Sequence, residues 1–63
     1  MLMTFGEAEK MVKEYGWYYV YTNGSHYFYY HNDKPGKVCI PFHTGKELNK
    51  RVVDSIKRQA GIK

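Results

Sequence analysis

Cysteine occurs once, at Cys39, so no internal disulfide framework can staple this chain, and its cysteine usage fits a reducing cytoplasm. No apolar run approaches the roughly 20 residues needed to cross a bilayer, and Met1 to Phe5 lacks the pattern of a signal peptide. These two absences predict a soluble, intracellular protein. Length is scarce as well. A chain of 63 residues buries only about 60% of the surface that its unfolded form exposes. Its core is thin, and no deep pocket for a large organic cofactor is expected. No cofactor is expected, and a substrate has to lie on the surface. Repeats, linkers and low-complexity tracts are missing, so residues 1–63 are expected to form one domain.

Carboxylates are sparse in the second half. Residues 1–33 hold Lys10 and Lys13 against Glu7, Glu9, Glu14 and Asp33, a net of −2. Residues 34–63 hold eight cations against Glu47 and Asp54, a net of +6. A basic half on a small domain suits a polyanion, because each neutralised phosphate releases counterions. Ordinary solubility charge is the competing explanation.

What is present is punctuated clearly. Thr4-Phe5-Gly6-Glu7 reads as a capping box. Phe5, Ala8, Val12 and Tyr15 recur at helical spacing and Gly16 can stop the helix, which predicts a helix over about 5–15. Trp17 to Thr22 is aromatic and β-branched, as a strand requires. Asn23-Gly24 signals a hairpin turn, with His26 to His31 returning. Asn32 to Gly36 forms a second turn, and Lys37 to Phe42 a third strand that Pro41 confines to an edge or an end. His43 to Leu48 is a loop. Asn49 caps a second helix of about 50–60, with Val52, Val53, Ile56 and Ala60 buried and Gly61 as its stop. The fold class is therefore α+β, in the order α-β-β-β-α, with both helices on one face of a three-stranded antiparallel sheet.

With the turn at Asn23-Gly24, Tyr21 pairs with His26 and Tyr19 with Phe28. One sheet face then shows Trp17, Tyr19, Phe28, Val38 and Ile40, and is expected to be the core. The other shows Tyr18, Val20, Tyr27 and Tyr29, expected to be an exposed aromatic partner surface. Simple cross-strand aromatic packing explains the same tyrosines.

His26 follows Gly24-Ser25 at the mouth of the hairpin, where a side chain is reachable and rigidly held. An imidazole ordinarily titrates at about 6.5, so it can exchange a proton near neutrality. RNA carries its own nucleophile, the 2′-OH beside each phosphate, so one positioned base can start cleavage without a metal. A histidine in a hairpin also has a purely structural use. His31, Cys39 and His43 raise the alternative of zinc, but Cys39 lies within a predicted strand. A closed site also needs a fourth ligand, for which only Asp33 is near. No metal is expected. Lys34, Lys37, Lys46, Lys50 and Arg51 flank the sheet and the start of the second helix and can hold phosphates. Ser25 can orient His26 or donate to a phosphate.

Taken in order, several stretches resemble the HicA family, small toxin ribonucleases of bacterial toxin–antitoxin pairs. They are Gly16-Trp17, Gly24-Ser25-His26, His31 with Pro35-Gly36-Lys37-Val38, Ile40-Pro41-Phe42-His43, Gly45-Lys46-Glu47-Leu48 and Ser55 to Ile62. They span about Glu9 to Ile62. The resemblance implies a double-stranded-RNA-binding-like fold, endonucleolytic cleavage of mRNA, and neutralisation by a HicB-type antitoxin. It places the family's catalytic histidine on His26, with Gly24 and Ser25 beside it at the RNA. The chain departs from the family pattern at Asn32, at Asn49-Lys50-Arg51, and at Tyr21 and Tyr30, where arginine is common. The rival function is a non-catalytic RNA-binding or protein-interaction module of the same fold.

Overall fold

A computed structural model describes residues 3–42 and 47–62. The elements are α1 (Phe5–Glu14), β1 (Tyr18–Asn23), β2 (His26–Tyr30), β3 (Val38–Pro41) and α2 (Lys50–Ala60). The sheet is antiparallel in the order β1-β2-β3, which is the expected α-β-β-β-α arrangement.

Local chemistry explains the helix ends. The Glu7 amide donates to Thr4 Oγ1 at 3.2 Å, and the Thr4 amide donates to Glu7 Oε1 at 2.9 Å. Both halves of the capping box are thus made, which stabilises the first turn by about 1 kcal/mol. α1 ends one residue earlier than its periodicity suggests, so Tyr15 caps it and stands exposed. Asn49 Oδ1 accepts from the Val52 amide at 2.9 Å to open α2, and Gly61 closes it at φ 74°.

The core joins Ala8 and Val12 of α1, Val53, Ile56 and Ala60 of α2, and Tyr29, Val38 and Ile40 of the sheet. Trp17 enters the core as β1 begins, and its Nε1–H donates to the Ala60 carbonyl at 3.2 Å. That bond satisfies the indole at the place where it is buried. α2 also covers the free edge of β3, where the Cys39 amide donates to Gln59 Oε1 at 3.0 Å. An edge strand is closed in this way against pairing with another chain.

The hairpin register differs from the sequence expectation. Asn23 pairs with His26, so Gly24 and Ser25 form the two-residue loop. Gly24 has φ 63°, while no described non-glycine residue has positive φ. This is the pattern of a type II′ turn, which needs glycine only at its first central position. Tyr21 therefore faces Phe28 instead of His26, and a bulge between Tyr19 and Tyr21 absorbs Val20. A one-residue shift exchanges the faces of a strand. Tyr29, expected outside, is 0% exposed, and Tyr27 is half-buried against the rings of Phe5 and Phe42. Phe28, expected in the core, lies on the outer face. Tyr19 stays on the helix side, edge-on to Tyr29, yet remains largely exposed at the sheet margin. Trp17, Val38 and Ile40 are buried as expected.

Candidate active site

β2 begins at His26, in the middle of the sheet. Its backbone is held on both sides, paired with Asn23 of β1 and with Pro41 of β3. The Phe42 amide also donates to the Ser25 carbonyl at 2.7 Å, which ties the hairpin lip to the end of β3. Strand alternation then puts the exposed His26 on the face that also carries Phe28 and Tyr30, opposite the one that buries Tyr29.

Here the sheet meets α2 in an open concavity of 230 Å³. His26, Cys39 and Pro41 line it from the sheet, and Val52, Ser55, Ile56 and Gln59 line it from the helix. Most of this lining is apolar, and besides His26 its polar members are Cys39, Ser55 and Gln59. Gln59 organises two of them. Its Oε1 accepts from the Cys39 amide, and its Nε2 donates to Ser55 Oγ at 3.1 Å. Because Ser55 Oγ accepts that bond, its hydroxyl proton is left to donate elsewhere. The Cys39 thiol is pushed above its ordinary range by burial, with the Lys37 charge opposing. It therefore stays a thiol at neutral pH, a poor nucleophile and a poor metal ligand.

The cations proposed from sequence do not form one patch. Lys34 Nζ donates to the Ala60 carbonyl at 3.5 Å, at the C-terminal end of α2. Lys50 and Arg51 are exposed in the first turn of the same helix, roughly 14 Å away along its axis. Lys37 lies over the sheet, its Nζ 4.9 Å from the Phe28 ring centre. Along α2, Arg51 precedes Ser55 by one helical turn and Arg58 follows it by three residues, so the three share one stripe of the helix. Lys46, and His43 of the zinc alternative, lie outside the described residues.

His31 has a structural job. Its Nδ1 accepts from the Asp33 amide at 2.9 Å, so its Nε2 carries the proton and donates to the Tyr15 carbonyl at 3.0 Å. The ring also sits edge-on to Trp17. Both nitrogens being used, His31 pins the turn after β2 to the end of α1. Among the described residues no three of His, Cys, Asp and Glu converge as a metal site would need.

Tyr18 remains on the outer face, paired with Tyr30. Tyr29 drops out of the candidate partner surface, since its ring is in the core and its hydroxyl donates to Glu9 Oε2 at 2.7 Å. Ser55, Gln59 and Arg58 entered the sequence reading only within the stretch Ser55 to Ile62, with no role at the site. The Arg51, Ser55, Arg58 spacing was the one available signal.

A family model described as the HicA toxin of bacterial toxin-antitoxin matches residues 5–62. The chain belongs to the HicA toxin family. All five elements lie within the matched range. Membership makes the chain the toxin member of a toxin–antitoxin pair, so an antitoxin is its partner. No curated protein matches the chain. Among the described residues no helix is long and apolar enough to cross a membrane. In this HicA family chain the Gly24-Ser25-His26 turn is the tight hairpin at the concavity's edge.

Proposed function

We propose that this toxin is a metal-independent endoribonuclease that cuts mRNA in the cytoplasm, with His26 as its catalytic base, and that a HicB-type antitoxin silences it by covering that residue. The observation that carries the proposal is the placement of His26. Its backbone is fixed by neighbours on both sides, and the residue lines an open concavity at the surface.

The imidazole takes the proton of the 2′-OH. The freed oxygen attacks the adjacent phosphorus in line to form a 2′,3′-cyclic phosphate, and the bond to the 5′ oxygen breaks, that oxygen taking a proton from solvent to leave as a hydroxyl. Charge on the phosphorane is met by Lys37 and Arg51, and by the Ser55 hydroxyl that Gln59 orients. Gly24 and Ser25 bring the backbone close to the strand. Lys34 and Lys50 serve flanking phosphates at opposite ends of α2, and Lys46 belongs to the same set. Since RNA supplies the nucleophile, a metal-activated water is not required. Tyr18 is the part of the expected partner surface that remains available to the antitoxin.

Labelled RNA and the DNA of the same sequence, incubated in chelator with wild type and His26→Gln, test this. Wild type is expected to cut RNA only, and His26→Gln to be at least a hundredfold slower. Equal cutting by the variant, or cutting of DNA, overturns the mechanism.

A further inference from the structure

The sheet face that carries His26 continues into an aromatic strip. Phe28 and Tyr30 follow His26 on β2, and Tyr21 and Tyr18 stand opposite them on β1. Tyr21 lies parallel to Phe28, with ring centres 4.7 Å apart and planes at 17°, and Tyr30 meets Tyr21 edge-on at 6.5 Å. Tyr18, Tyr21 and Tyr30 are 46%, 37% and 38% exposed. These rings are not needed by the core, which lies on the other side of the sheet. Lys37 hangs over the same strip, 4.9 Å from the Phe28 ring centre.

We propose that this strip stacks the unpaired bases of a single RNA strand beside the scissile phosphate, which makes single-stranded RNA the substrate of the site. The inference rests on the proposed cleavage role of His26. Phe28 and Tyr30 lie about 7 and 13 Å from His26 along the strand, within reach of the one or two nucleotides next to the cut. Flat rings recognise bases through their π-faces, which a duplex hides within its own stack. Lys37 supplies a positive charge among the rings, as a polyanion requires and an uncharged apolar partner does not.

The test uses the full chain carrying His26→Gln and a labelled 12-nucleotide RNA, read by fluorescence anisotropy. Three probes are compared: the single strand, its duplex, and an abasic strand of the same length. The single strand is expected to bind roughly tenfold or more tighter than either other probe. Tyr21→Leu/Phe28→Leu should weaken the single strand by a similar factor and leave the abasic strand unchanged. Equal binding of the abasic strand, which needs no variant to fold, overturns the proposal. So does unchanged RNA binding by the double variant. Cleavage by wild type is scored separately. Loss of stacking with His26-dependent cutting intact sinks this inference alone, whereas base-dependent binding without any cutting sinks only the nuclease reading.

Discussion

Gly16→Ala should unfold this protein more readily than a change of one methyl implies. Gly16 holds φ 95°, which costs an L-residue about 1–2 kcal/mol. A Cβ at this place would also meet His31 Nε2 at 2.6 Å, so the ring has to move. Moving it forfeits the bonds to the Tyr15 carbonyl and from the Asp33 amide, each about 1 kcal/mol. The sum is about 3 kcal/mol, against a total stability of roughly 3–9 kcal/mol for a chain of this size. The melting temperature should fall by about 12–24 °C. Thermal unfolding followed by circular dichroism measures it, with the same substitution repeated in a His31→Ala background. There the clash is gone, and only the backbone cost of about 1–2 kcal/mol should remain. If Gly16→Ala costs the same in both backgrounds, the two sites are independent. The account of His31 as the pin of the turn bearing Lys34 and Lys37 would then be wrong.

Tyr29→Phe should cost about 1–2 kcal/mol at pH 7, by losing the bond to Glu9. Burial, then that bond, push the Tyr29 phenol far above its usual range. In the unfolded chain it ionises from about pH 10 while the folded chain stays neutral, so its contribution is present below pH 10 and lost above it. The loss runs at up to about 1.4 kcal/mol per pH unit. Urea titrations between pH 8 and 11 should show this extra alkaline loss in wild type and not in Tyr29→Phe; identical slopes refute it. Cys39 should react with iodoacetamide more slowly than a free thiol at pH 8, by mass spectrometry, and the adduct should block cutting because it fills the concavity beside His26. Fast labelling, or a fully active adduct, contradicts the geometry. Ser55→Ala should keep the fold and slow RNA cleavage on the order of tenfold, as loss of one hydrogen bond to a charged group does; an unchanged rate removes Ser55 from the site.

The parts of the fold that are decided locally were legible in the sequence. Thr4 with Glu7, Asn49 with Val52, and Gly61 each act within four residues, and each appears where the sequence puts it. The hairpin itself was also legible, but its register was not. Asn23-Gly24 and Gly24-Ser25 are both acceptable loops, and they differ by one residue. Tyrosines at 18, 19, 21, 27, 29 and 30 blur the alternation of apolar and polar residues that would otherwise choose between them. Tertiary contacts make the choice: Tyr29 reaches Glu9 on α1, and the bulge at Val20 brings Tyr21 onto Phe28. The site divides in the same way. His26 is a candidate from its turn alone, whereas the Ser55 and Gln59 side of the concavity depends on how α2 docks against the edge of β3.

If His26 activates the 2′-OH of the RNA itself, removing that hydroxyl must stop the cut. An RNA carrying one 2′-deoxyribose at the mapped cut site, with all product ends identified by mass spectrometry, measures this. The mechanism predicts that the modified linkage stays whole while the unmodified RNA gives a 2′,3′-cyclic phosphate and a 5′-hydroxyl. Cutting at the deoxy position, or ends with a 5′-phosphate and a 3′-hydroxyl, would contradict it.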